Sequence, residues 1–287
     1  MSNLKHRRVH AAALEQPTTE QPNPRTSRLS TLSTRAMVLA MQREDAAVAP
    51  AVRKAAPAIA GALERMVPLF EAGGRLIYIG AGTSGRLGVL DAAECPPTFG
   101  LPASRVVGVI AGGERALRRS VEGAEDRPAA ARADLKKLRL TPLDVVVGIA
   151  ASGRTPYTIA GVEYAREQGC MTVAVACTPG SPLAAAANLA IEPITGPEAV
   201  AGSTRMKAGS AQKMVLNLLS TGLMVRMGRV EGNRMVHVRA SNAKLRERAL
   251  RMVAETLGDR ARARRLLRRA GGNVARALEM ARDEAAL

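Results

Sequence analysis

The chain has 287 residues, 47% of them hydrophobic and 23% charged, which supplies a sizeable core and excludes a wholly disordered polymer. Aromatic residues make up only 2%, with no Trp, so stacking of bases or sugar rings on aromatic side chains is ruled out as a main binding mode. The net charge of +17 suits anionic partners; without aromatic platforms or zinc-ligand spacing it predicts an Arg-rich solvated surface and no nucleic-acid partner.

Much of that charge sits at the ends. Residues 239–287 hold 13 basic and 6 acidic residues, and the first 35 hold 6 and 2. Residues 1–47 are polar, with Pro22, Pro24 and many Ser and Thr, and predict a partly disordered arm able to wrap a neighbour. Its first residues, Met1 to Arg8, have no apolar stretch behind them, unlike a secretory signal. An Ala-rich pattern over 48–71 predicts a long helical region bent at Pro57.

Four short apolar runs follow, at 76–79, 106–110, 145–149 and 171–176, separated by helical stretches. Continuous β-branched runs without alternation are strands buried on both faces, as in a parallel sheet. Strands alternating with helices give βαβ units and a three-layer α/β/α domain with a doubly wound sheet. The longest uncharged run, 168–191, is broken at Thr178-Pro179-Gly180-Ser181-Pro182 and reads as strand, turn and short helix, so no membrane span is expected. Residues 206–227 predict a buried helix. After Ala240 the Arg/Ala/Leu/Glu spacing, interrupted at Gly258-Asp259 and at Gly271-Gly272-Asn273, predicts a small C-terminal bundle of three helices. The expected division is an arm at 1–47, a catalytic domain at 48–238 and the bundle at 239–287. Cys95, Cys170 and Cys177 are too few for a disulfide framework and read as reduced thiols of a cytoplasmic protein.

Two strand ends resemble each other: Gly80-Ala81-Gly82-Thr83-Ser84-Gly85-Arg86 and Ala150-Ala151-Ser152-Gly153-Arg154-Thr155. Small residues let the backbone approach an anion, the helix behind supplies free N–H groups, and the hydroxyls complete the shell. Tight turns alone would account for one such loop; two with a Ser-Gly-Arg centre favour a phosphate. Gly80, Gly82 and Gly85 also match the dinucleotide fingerprint, but the second strand ends in Ala111-Gly112-Gly113 where an acidic residue belongs, so that reading is set aside.

These loops resemble the SIS domain, a sugar isomerase fold that binds phosphosugars. The stretch 77–100, with Ala93-Glu94-Cys95-Pro96-Pro97 at its end, is similar to the signature of the N-acetylmuramic acid 6-phosphate etherase family. So are Ile110-Ala111-Gly112-Gly113-Glu114, Val121-Glu122-Gly123-Ala124-Glu125-Asp126, Ser152-Gly153-Arg154-Thr155-Pro156-Tyr157 and Gly202-Ser203-Thr204-Arg205-Met206-Lys207. The resemblance covers about residues 19–253 and departs in the arm, where Leu29-Ser30 replaces an apolar residue and Asp of the family.

The resemblance implies a carbon–oxygen lyase that cleaves a D-lactyl ether to give N-acetylglucosamine 6-phosphate and D-lactate, in amino-sugar catabolism and cell-wall recycling. It implies no cofactor and no metal; His6, His10 and His237 are scattered. Its two acids fall on Glu94 and Glu125, with Glu122 as the competing carboxylate. Taken by themselves, all are ordinary surface or helix-capping residues. The phosphate shell would comprise Thr83, Ser84, Gly85, Ser152, Gly153 and Thr155. Arg86, Arg154, Ser203, Arg205 and Lys207 are further candidates toward substrate anions, with helix-terminus surface charge as the alternative for Arg205 and Lys207. Similar SIS enzymes are dimers with composite sites, so a homodimer is expected. The alternative function is a catalytically silent phosphosugar-binding regulator on the same fold. Residues 271–278 resemble the last helix of ubiquitin-associated-type bundles and read as a packing element.

Overall fold

The computed structural model describes residues 16–237 and 243–285. Three 3-10 turns (Thr18–Glu20, Pro24–Thr26, Leu29–Thr31) lead into α1 (Thr34–Asp45), whose first turn is capped by the Ser33 hydroxyl accepting from Ala36 N. This described part of the arm is helical rather than disordered, because it is fastened to its own chain. Thr26 donates to Ala199 O at 2.8 Å, Asn23 Nδ2 to Pro197 O at 3.2 Å, and Gly202 N to Thr19 O at 3.2 Å.

Helices α2 (Val48–Lys54) and α3 (Ala56–Glu71) meet at Ala55. Pro57 sits in the first turn of α3, where its missing N–H costs no hydrogen bond. The alternating unit then runs β1 (Leu76–Gly80), α4 (Gly82–Phe99), β2 (Val106–Ile110), α5 (Gly113–Arg118), α6 (Pro128–Lys137), β3 (Val145–Ile149), α7 (Pro156–Glu167), β4 (Met171–Val175), α8 (Pro182–Ala186) and β5 (Leu189–Ile191). The five strands are parallel, in the order β2-β1-β3-β4-β5. Strand order reverses between β1 and β3, the switch point where open α/β sheets bind ligands at their carboxyl ends.

Side chains alternate faces along each strand. Leu76, Tyr78, Val145, Val147 and Val173 pack with α2, α3, α4 and the long helix α9 (Lys207–Arg226). Ile77, Ile79 and Val146 pack with α6 and α7 on the other face. Strands β1, β3 and β4 are buried throughout, whereas β2, at the sheet edge, is only partly covered at its centre. Strand β5 is the sheet element that the apolar-run pattern omitted. Helix α9 buries Ala208, Ala211, Val215, Leu216, Leu219 and Leu223, a helix-period stripe against the sheet.

A short hairpin, β6 (Val230–Glu231) and β7 (Arg234–Met235), precedes α10 (Ala243–Leu257), α11 (Arg260–Arg269) and α12 (Val274–Ala285). These three helices share a core of their own that includes Leu250, Val253, Leu266, Val274 and Leu278. The predicted interruptions mark the helix boundaries: Asp259 caps α11 by accepting from Ala261 N and Arg262 N at 2.8 and 2.9 Å.

Candidate active site

Both Ser-Gly-Arg loops lie at the carboxyl ends of the two strands that flank the switch point. Ala81 precedes α4 without a side-chain cap, which leaves first-turn N–H groups for an anion. Gly85 is required there by close approach, since a Cβ would stand 2.7 Å from Gly80 O. In the second loop Gly153 has φ +65°, and a Cβ would collide with Ser181 Oγ; only glycine fits. Ser152 Oγ accepts from Arg154 N at 3.3 Å, and Thr155 stands at the start of α7, again without a side-chain cap. Thr83, Ser152, Arg154 and Thr155 are half-buried, while Ser84 is buried.

A cavity of about 190 Å³ opens beside the first loop, at the ends of β1 and β2, lined by Gly82, Arg86, Ala111, Glu122 and Glu125 among others. Arg86 is held there through Nε to Leu117 O at 3.3 Å. The Glu125 carbonyl accepts from Tyr157 N at 2.9 Å, which pins its backbone to the first turn of α7, directly after the second loop. Glu122 is engaged differently, its Oε1 accepting from the Ser120 hydroxyl at 2.6 Å.

Glu94 is not brought to this cavity. It is exposed on α4, roughly twelve residues and so about 18 Å along the axis from the start of that helix. Leu90, one turn before it on the same helix face, is 46% exposed. The neighbouring helix α9 exposes Met214, Leu218 and Val225, and the two helices are bridged by Lys213 and Asp91 at 3.5 Å.

The segment 202–207 approaches from the side. Ser203 is half-buried and Arg205 exposed. Lys207 is fully buried, with its ammonium 2.7 Å from Glu44 of α1, so it faces an ion cluster inside the chain. Glu44 also takes Arg25 at 2.5 and 2.9 Å and Asn23 at 2.8 Å. The Arg25 hydrogen bond, against the opposing cost of burial, holds the Glu44 carboxyl at about 2. Glu198, fully buried, accepts from Lys207 N and Ala208 N at 2.9 Å each, and so supplies the anion at the amino end of α9.

Sequence reasoning gave no role to Glu44, Glu198 or Gln212. Gln212 is fully buried, and its Oε1 accepts from the Ser84 hydroxyl at 2.9 Å; the legible signal was an amide set in an apolar helix stripe. Cys95 and Cys177 are buried free thiols, each pushed up to about 12 chiefly by burial, which makes them packing groups rather than nucleophiles.

A protein from Pectobacterium atrosepticum, named N-acetylmuramic acid 6-phosphate etherase, is 54% identical over 262 residues, covering 91% of this chain and 86% of that protein. A Yersinia pestis protein of the same name is 55% identical, covering 91% and 89%. The chain belongs to the N-acetylmuramic acid 6-phosphate etherase family. Residues 58–166 of this etherase-family chain match the glucokinase regulatory protein N-terminal SIS domain, and residues 127–222 match the SIS domain. Solved structures share the fold. A ligand-bound protein from Escherichia coli CFT073 is similar at TM-score 0.50 and 19% identity, covering 70% of this chain and 97% of that one. A phosphoheptose isomerase from Francisella tularensis is similar at TM-score 0.50 and 16% identity, covering 68% and 100%. The family's architecture here is thus the SIS sheet with helices on both faces, extended by C-terminal helices.

Proposed function

We propose that the protein cleaves the D-lactyl ether of N-acetylmuramic acid 6-phosphate, releasing D-lactate and N-acetylglucosamine 6-phosphate. The observation that carries this reading is the pairing of two uncapped Ser-Gly-Arg loops across the switch point, with Glu125 lining the cavity beside the first and its backbone tied to the helix behind the second, in a chain so similar to the etherases. Thr83, Ser84, Gly85, Ser152, Gly153 and Thr155 would surround the 6-phosphate, with Arg86 and Arg154 adding positive potential.

The chemistry is that of a carbon–oxygen lyase. In the open-chain sugar C1 is an aldehyde, which acidifies the C2 proton. The Glu125 carboxylate takes that proton, the C2 electron pair forms the C2–C3 double bond, and the C3–O bond breaks. Glu94 as carboxylic acid protonates the departing lactate oxygen. The resulting Glu94 carboxylate then activates a water that adds to C3, and C2 recovers its proton from Glu125. Each group is asked for roughly 10²–10⁴ in rate.

Since Glu94 is exposed and remote from the loops of its own chain, the site is composite and the working unit a homodimer. Exposed apolar side chains on the two bridged helices, Leu90 of α4 and Met214, Leu218 and Val225 of α9, support this. A cytoplasmic setting is supported by the buried free thiols Cys95, Cys170 and Cys177; among the described residues no helix is long and apolar enough to cross a membrane.

The test is to incubate pure protein with N-acetylmuramic acid 6-phosphate and assay free D-lactate, with the unphosphorylated sugar as control. Lactate from the phosphorylated sugar alone is expected. Tight binding of the phosphosugar with no lactate released would instead make the protein a silent phosphosugar-binding regulator.

A further inference from the structure

We propose that Gln212 is a positioning residue that aims the Ser84 hydroxyl at the substrate's phosphate. The inference rests on the reading of Ser84 as a phosphate ligand and adds a residue to that site. A serine hydroxyl carries one proton. With the amide oriented so that Gln212 Oε1 accepts from Ser84 at 2.9 Å, that proton is taken up and Ser84 turns only lone pairs outward, and lone pairs repel a phosphate. The other end of the same amide is also poorly served. Gln212 Nε2 is buried with no hydrogen-bond partner among the described residues, a donor whose desolvation is left uncompensated.

One rotation removes both defects. The last torsion of a glutamine is soft and roughly two-fold, and its oxygen and nitrogen ends have nearly the same shape. With the amide turned over, Nε2 donates to Ser84 Oγ and the Ser84 proton is released toward the phosphate. The chain Gln212 Nε2–H to Ser84 Oγ–H to phosphate is then fully satisfied, and each bond polarises the next. The surroundings support an adjusted position rather than a filler. Gly209, one turn earlier on the same face of α9, faces Thr83, whose Cγ2 would lie at van der Waals distance, 3.5 Å, from a Cβ at that position. Its buried neighbours along α9 include Ala208, Ala211, Val215 and Leu216, so an apolar side chain at 212 would satisfy packing alone.

The experiment is steady-state kinetics on the phosphosugar for wild type, Ser84→Ala, Gln212→Met, the double variant, and Gln212→Glu across pH. Losing a hydrogen bond to a charged group predicts KM raised about tenfold or more in Ser84→Ala. Gln212→Met is expected to raise KM to a similar degree with kcat little changed, and to add nothing further in the Ser84→Ala background. Gln212→Glu tests the proton directly. As a carboxylate it can only accept, so it holds the Ser84 proton and raises KM; once protonated it can donate, and KM recovers on acidification beyond the change seen in wild type. If Gln212→Met proves insoluble, that pH dependence carries the test by itself. The proposal is overturned if the two losses multiply in the double variant, or if KM of Gln212→Glu follows the wild-type pH profile. Should Ser84→Ala leave KM unchanged, the phosphate reading of Ser84 falls first and this inference falls with it.

Discussion

Two carboxylates with separate tasks should give separable defects. Glu125, lining the cavity beside the first loop, is assigned the C2 proton, and Glu94 the departing lactate. In deuterated water, Glu125→Gln should therefore lose both C2 exchange and lactate release. Glu94→Gln should lose lactate release, by roughly 10²–10⁴, and retain exchange at C2. The reverse pattern, read by proton NMR at C2, would exchange the two roles; no effect from either change would move attention to Glu122. The Glu44 cluster makes a different prediction, about acid. Its carboxyl is held at about 2 against an ordinary value of 4.5, so its contribution to stability is complete above about pH 4.5 and is lost as pH falls toward 2. Glu44→Gln should be destabilised at neutral pH by about 3–5 kcal/mol, because it strands the buried Lys207 ammonium. Its melting temperature should also fall less steeply than wild type between pH 4.5 and 2, which calorimetry across pH would show.

At the scale of elements, the second loop is the least forgiving part of the site. Gly153→Ala combines a left-handed backbone with a Cβ set against Ser181, and should cost about 1–3 kcal/mol along with a raised KM, both measurable on one sample. Wild-type KM in a stable Gly153→Ala variant would show that the loop tolerates repositioning. The strands β1, β3 and β4 were legible because burial on both faces leaves a plain apolar run. Strand β5 was not, since its three residues follow an alanine run that carries helix propensity. The helical arm was hidden for another reason: its local composition is polar, and what orders it are contacts to residues 197–202, far along the chain. The same separation hid the burial of Lys207, whose partner lies 163 residues away. The two Ser-Gly-Arg loops could be read from their own residues as strand-to-helix turns because that geometry is local.

For the whole molecule, the distance between Glu94 and the loops of its own chain is the decisive dimension. If each site takes Glu125 from one protomer and Glu94 from its partner, mixing inactive Glu94→Gln with inactive Glu125→Gln chains should restore activity. Random exchange of protomers gives mixed dimers with one intact site each, so roughly a quarter of wild-type activity is expected. No recovery after subunit exchange, verified by mass, would refute the shared site. A polar substitution such as Leu218→Asp on the exposed α9 face should shift the protein to monomers by light scattering and abolish turnover together.

The pinning of the amino end of α9 by α1 also imposes an order in time. During synthesis Glu44 emerges long before Lys207, and at about 5–20 residues per second the carboxylate waits on the order of ten seconds for its partner. The arm cannot lock down until all five strands of the parallel sheet have been made. The helix that carries Gln212 to Ser84 is thus secured late, so a chain stalled before residue 207 would hold both Ser-Gly-Arg loops and still lack the clasp at the amino end of α9.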